Sequence, residues 1–214
     1  MHLSAPFRNI VLATASLLCA AFPALAQQRG GGPAGTNPNE FKIIKLSDLK
    51  GGESRQKLRA LSGASAKAKE WGIFDATFAT APDWIDEMVV SYTVMLLNPK
   101  ADAKKGEIPI SLFQATVEYS DIEKGKNHTV GVVLPPAALL RYGDPIGFAV
   151  QFSIGGQEIA AQGVGDGILK NRENWWEDSQ ILDSPKVQKR EGYLIDRMKS
   201  PFQLVDIDSY EVSR

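Results

Sequence analysis

The chain lacks most of what catalysis usually draws on. Its single cysteine, Cys19, lies in an apolar N-terminal stretch, and only two histidines occur in 214 residues, His2 and His128. Without a second cysteine no disulfide can close a loop, so a domain in an oxidising compartment must rely on its core. A Ser–His–Asp or Cys–His arrangement would have to use His128, which stands in a Lys-rich, turn-like stretch beside Asp121 and Glu123 and reads as a surface histidine. Zinc is equally poorly served, because one histidine without cysteine leaves only carboxylates as further ligands. Charge of one sign is also missing: 24 Lys and Arg stand against 25 Asp and Glu. Nucleic-acid binding needs a clustered basic face, and none is visible. After the N-terminus no run approaches 18 apolar residues, so no transmembrane helix is expected.

What is present begins with an export signal. Arg8 supplies a positive start, Ile10 to Ala21 is apolar, Pro23 breaks the run, and Ala24-Leu25-Ala26 suits signal peptidase. Residues 1–26 therefore read as a cleaved leader, with a mature chain from Gln27 and no stable membrane insertion after cleavage. Cys19 is a poor lipidation site, since Leu18 precedes it and Ser16 stands three before it. A pilin leader is cut ahead of its apolar helix, whereas this cut falls behind it. Residues 27–39, QQRGGGPAGTNPN, form a flexible linker by composition. Residues 40–214 remain as one domain, long enough for a real core.

Within that domain the pattern is β. Phe41–Leu46 reads as a first strand. Arg55–Leu61 reads as a short helix or a mobile loop. Trp71–Thr80 and Trp84–Leu97 read as two strands, the second with Met88, Val90, Tyr92, Val94 and Leu96 on one face. Met95 and Leu97 lie opposite, which predicts burial on both sides at its end. Ile108–Tyr119 alternates a wet and a dry face, Asp121–Asn127 reads as a polar turn, and Thr129–Leu134 as another strand. Pro135–Tyr142 reads as a short helix stopped by Gly143. Ile146–Ile154 and Glu158–Gln162 flank Gly155-Gly156, a hairpin signal. Arg190–Asp196 and Phe202–Val212 read as closing strands. About seven strands and one short helix predict a mainly β chain, a β-sandwich, with a small closed barrel as the alternative.

Three motifs resemble sites and are read otherwise. Gly163-Val-Gly165-Asp-Gly167-Ile168 lacks the third glycine and the helix of a dinucleotide loop, so it reads as a turn after a strand. Asp206 and Asp208 lack the glycine and later glutamate of a calcium loop and read as a solvated strand face. Paired carboxylates of a hydrolase cannot be singled out among 25 acidic residues. The segment that stands out is Trp175-Trp176-Glu177-Asp178. Adjacent tryptophans in a polar loop are hard to bury together, so Trp175 and Trp176 are the candidate contact residues, for a protein interface or a sugar ring.

Two stretches add a family likeness: LPPAALLRYGDPIGFAVQFSIGGQEI at 134–159 and DRMKSPFQLVDIDSYE at 196–211. They resemble exported immunoglobulin-like proteins of Akkermansia-type verrucomicrobia whose genes accompany type IV pilus-like clusters. The resemblance implies an immunoglobulin-like sandwich and a non-enzymatic binding or scaffolding role in the envelope, in the periplasm or at the cell surface, with envelope or pilus-assembly proteins as partners. It implies no cofactor and no catalytic residue. A carbohydrate-binding or adhesive module using exposed tryptophans is the other expectation.

Overall fold

The computed structural model describes residues 41–50, 55–58, 67–203 and 210–214. The leader, the linker, Cys19, Asp206 and Asp208 lie outside them. Two very long strands organise the rest. β3 runs Lys69–Leu97 and β4 runs Ile110–Leu134, paired antiparallel almost end to end. The sequence breaks read at Ala81–Asp83 and Asp121–Asn127 are therefore not chain reversals. They are a shared corner, where the register slips between Phe78, Thr80 and Trp84. Asp121 and Asn127 take positive φ there, 58° and 68°. Bulges bend a strand without ending its pairing, and that is how one strand serves two layers.

Other strands add to either half. β1, Phe41–Leu46, and β2, Arg55–Leu58, pair with the first half of β3. The short helix or loop read at Arg55–Leu61 is thus a strand where it is described; β3 offers it a free edge, and Leu58 packs with Trp71 and Ile195 around Ile73, Val133 and Phe202. On the second half, β5 (Asp144–Ile154) pairs with β3 and β6 (Gln157–Gly165) with β5, the hairpin turning at Gly155 and Gly156, φ 58° and 78°. β7, Val187–Arg190, runs parallel to the start of β4, and β8, Ile195–Asp196, pairs with its end. The single closing strand read over Arg190–Asp196 is these two, separated by a bend. Phe202–Val212 is no long strand where it is described: Tyr210 and Ser213 make isolated bridges to β4.

The chain is mainly β, with eight strands in one connected sheet among the described residues, folded at the corner so that its halves face each other. Phe74 and Phe78 from the first half meet Phe148 and Phe152 from the second, with ring centroids 5.4 and 5.3 Å apart. Met88, Val90, Tyr92, Val94 and Leu96 line that core as their alternation predicts. α1, Pro136–Tyr142, closes one end and stops at Gly143, whose φ is 91° and whose N–H returns to the Leu139 carbonyl. A Cβ there would collide with the Leu97 carbonyl, so glycine is needed twice over.

Candidate functional site

Trp175 and Trp176 are the first residues to place, and both are buried, 1% and 8% exposed. This corrects the expectation that adjacent tryptophans in a polar loop are hard to bury together. The reason lies in residues far along the chain. On the outer face of the second half, β5 and β6 present Gly147 and Gly163. A Cβ on Gly147 would stand 2.7 Å from the Trp175 ring, and one on Gly163 would strike the Trp176 ring. The missing side chains leave two shallow seats, and the indoles fill them edge to face, 6.0 Å apart. Met95, Ile110, Leu112, Ile146 and Leu169 complete this outer core. It explains why Met95 is buried opposite the main core, and why the wet face of β4 begins only at Gln114. Gly163 to Gly165, read as a turn after a strand, are instead the last residues of β6, because the hairpin pairing with β5 runs on to Gly147–Gly165; the turn comes only at Gly167. A Gly163→Ala substitution is expected to cost about 1–3 kcal/mol through overpacking, read in a chemical denaturation followed by tryptophan emission. An unchanged midpoint would show that the seat is loose.

Beside Trp176, Gln162, Asn171, Arg172, Glu173 and Asn174 line a shallow groove of about 340 Å³. Asn171 and Asn174 are left-handed, φ 63° and 51°, which lets the loop double back onto β6. Neither indole N–H has a hydrogen-bond partner among the described residues, and neither of these two indoles is open enough to stack a sugar.

The exposed tryptophan is Trp84, 61% accessible, at the corner opposite Glu123. The sequence signal was there: Pro82-Asp83 before it and Asp86 after it keep this stretch wet. Alternation placed it at the start of a strand and said nothing of the corner.

His128 is not a free surface side chain. Its ring stacks on Phe78, 5.2 Å between centroids, and Nδ1 pairs with the Glu211 carboxylate of the C-terminal segment. Among the described residues, no group of three or more His, Cys, Asp and Glu is arranged to hold a metal ion.

Two polar clusters stand out instead, the first half-buried and the second in the core. Asp75, opposite Gly131 on β3 and β4, receives Arg197 Nη1 at 3.2 Å and the Tyr210 hydroxyl at 3.1 Å. The Arg197 guanidinium lies 3.9 Å over the Tyr210 ring and is only 3% exposed. Gly131 is required, because a Cβ there would strike the Asp75 carboxylate. The cluster ties the segment after β8 and the C-terminal residues to the sheet.

In the main core, the Tyr92 and Tyr119 hydroxyls share a hydrogen bond of 2.8 Å. Burial holds both phenols well above their ordinary value near 10. The native state therefore keeps protons that an unfolded chain releases. Stability from this pair is fully present below about pH 10 and declines as pH rises further. Each tyrosine contributes at most about 1.4 kcal/mol per pH unit. Urea unfolding from pH 8 to 11 is expected to show this fall, and Tyr92→Phe/Tyr119→Phe to flatten it. Equal alkaline slopes in the two proteins would exclude the pair as its cause.

These features define a mainly β domain folded on itself, with an aromatic outer core and an exposed tryptophan at the corner. A protein-family model matches residues 57–214. The chain belongs to that family. It is similar in fold to a crystal structure of a protein from Akkermansia muciniphila, with a TM-score of 0.60 and 19% identity, covering 84% of this chain and 96% of that one. No curated protein sequence matches it.

Proposed function

We propose that this chain is an exported, immunoglobulin-like, non-catalytic binding or scaffolding protein of the cell envelope, working beside a type IV pilus-like or secretion assembly. The leader-like residues 1–26 support export, and the spacer-like composition of residues 27–39 suits a domain held off the membrane or a partner. The observation that carries the binding role is Trp84. A large aromatic side chain held 61% exposed at the corner is the kind of anchor that dominates protein interfaces. Trp175 and Trp176 do not support a carbohydrate site, because their rings are covered by β5, β6 and each other.

The test is in the native host. The tagged chain is expressed with its own leader, intact cells are cross-linked, and co-purifying proteins are identified. Recovery of pilus or secretion-channel components that is lost with Trp84→Ala is the expected result. Recovery of the same components with Trp84→Ala would remove Trp84 from the interface. Recovery of none above background would overturn the assembly role.

A further inference from the structure

Among the described residues, the outer edge of β4 carries a gap. β7 covers Ile110–Phe113, and the next contact is the bridge between Tyr119 and Ser213. Between them, among the described residues, no strand pairs with Gln114–Glu118 on the side away from β3. The direction of the backbone there follows from its two ends. The Ile110 N–H donates to the Lys186 carbonyl, and the Glu118 carbonyl accepts from the Arg214 N–H. Both are even-numbered, and backbone groups in a strand alternate sides. Thr116 therefore directs its N–H and its C=O into the gap, and Glu118 its N–H. A groove of about 550 Å³ lies along the gap, with Ala115, Val117, Leu194 and Ile195 as its apolar lining and Lys199 and Arg214 at its polar rim.

We infer that this gap is a docking slot for a short extended segment of a partner polypeptide, which adds to the sheet as a strand beside Gln114–Glu118. This deepens the binding role proposed above and rests on it. The backbone groups choose the occupant: regularly spaced N–H and C=O groups along an edge are satisfied by another extended backbone. The slot holds about five residues, roughly 17 Å of strand. An apolar side chain of the segment rests on Val117 and Leu194, and its neighbours turn outward beside Thr116. A second copy of β4 does not fit, because each β4 carries its own β7 on the same edge and the two would collide. The partner element is thus a tail or an open loop.

A displayed library of nine-residue peptides, selected on the purified protein, tests this. Thr116→Pro removes the outward N–H and leaves the bonds to β3, as proline is tolerated at an edge. Thr116→Val keeps the N–H. Selected peptides are expected to alternate apolar and polar residues, to bind at least tenfold more weakly to Thr116→Pro, and to bind Thr116→Val as they bind the unaltered protein. Bound peptide should also slow hydrogen exchange at the Thr116 and Glu118 amides. Ala115→Lys, a charge directed into the slot, replaces Thr116→Pro if that variant does not fold. Failure to enrich any peptide, equal binding to the blocked variants, or protection confined to β6 would each overturn the slot. Because the assay needs neither the host nor its pilus, its outcome is separate from that of the cross-linking experiment.

Discussion

Trp175→Ala is expected to destabilise the protein by about 3–5 kcal/mol, the cost of emptying a buried tryptophan seat. Such a loss is a large share of the 5–15 kcal/mol typical of a folded domain. The indole is 1% exposed and meets Gly147, Leu169 and Trp176, so its removal opens a cavity rather than trimming a surface. The wall opposite is the backbone of β5, which cannot move in without breaking its pairing with β3 and β6. Urea unfolding checks this through a lower midpoint at an unchanged slope. The outcome separates two readings of the same residue. A contact tryptophan on the surface would change stability by no more than about 0.5 kcal/mol, and that result would return Trp175 to the list of interface residues.

Replacing Asp75 with alanine is expected to cost a similar amount, about 3–5 kcal/mol, for an electrostatic reason. Arg197 is 3% exposed and Asp75 is the carboxylate that meets it. Deleting one partner of a buried pair leaves the other charge in a poor solvent. The Tyr210 hydroxyl loses its acceptor at the same time. The C-terminal residues should loosen before the rest, since Tyr210 and the segment after β8 are held there. Limited proteolysis is expected to clip Asp75→Ala near its C-terminus under conditions that leave the unaltered chain intact. The double variant Asp75→Ala/Arg197→Met should recover much of the loss, because no charge is then stranded. A single-variant cost below about 1 kcal/mol, with unchanged proteolysis, would show that the clasp contributes little.

The sequence by itself determined the mainly β class, the first strand, the hairpin at Gly155-Gly156, and the helix that Gly143 stops. Each rests on local chemistry: β-branched alternation, glycines that accept positive φ, a proline-led turn. It also determined which face of Trp84–Leu97 enters the core, because period-two alternation needs no knowledge of the partner. The tertiary structure decided the rest. Pro82 and the polar run at Asp121–Asn127 look like chain reversals when read locally. Paired with each other across the sheet, they become one corner, and two pairs of strands become β3 and β4. Trp175 and Trp176 look exposed beside Glu177 and Asp178. Gly147 and Gly163, some 28 and 13 residues before them, supply the seats that bury them. His128 reads as a surface group until Glu211 is brought against it from 83 residues away. The length of β4 that no described strand covers was invisible for the same reason: an edge is defined by which strand does not come next to it, and only the assembled sheet determines that.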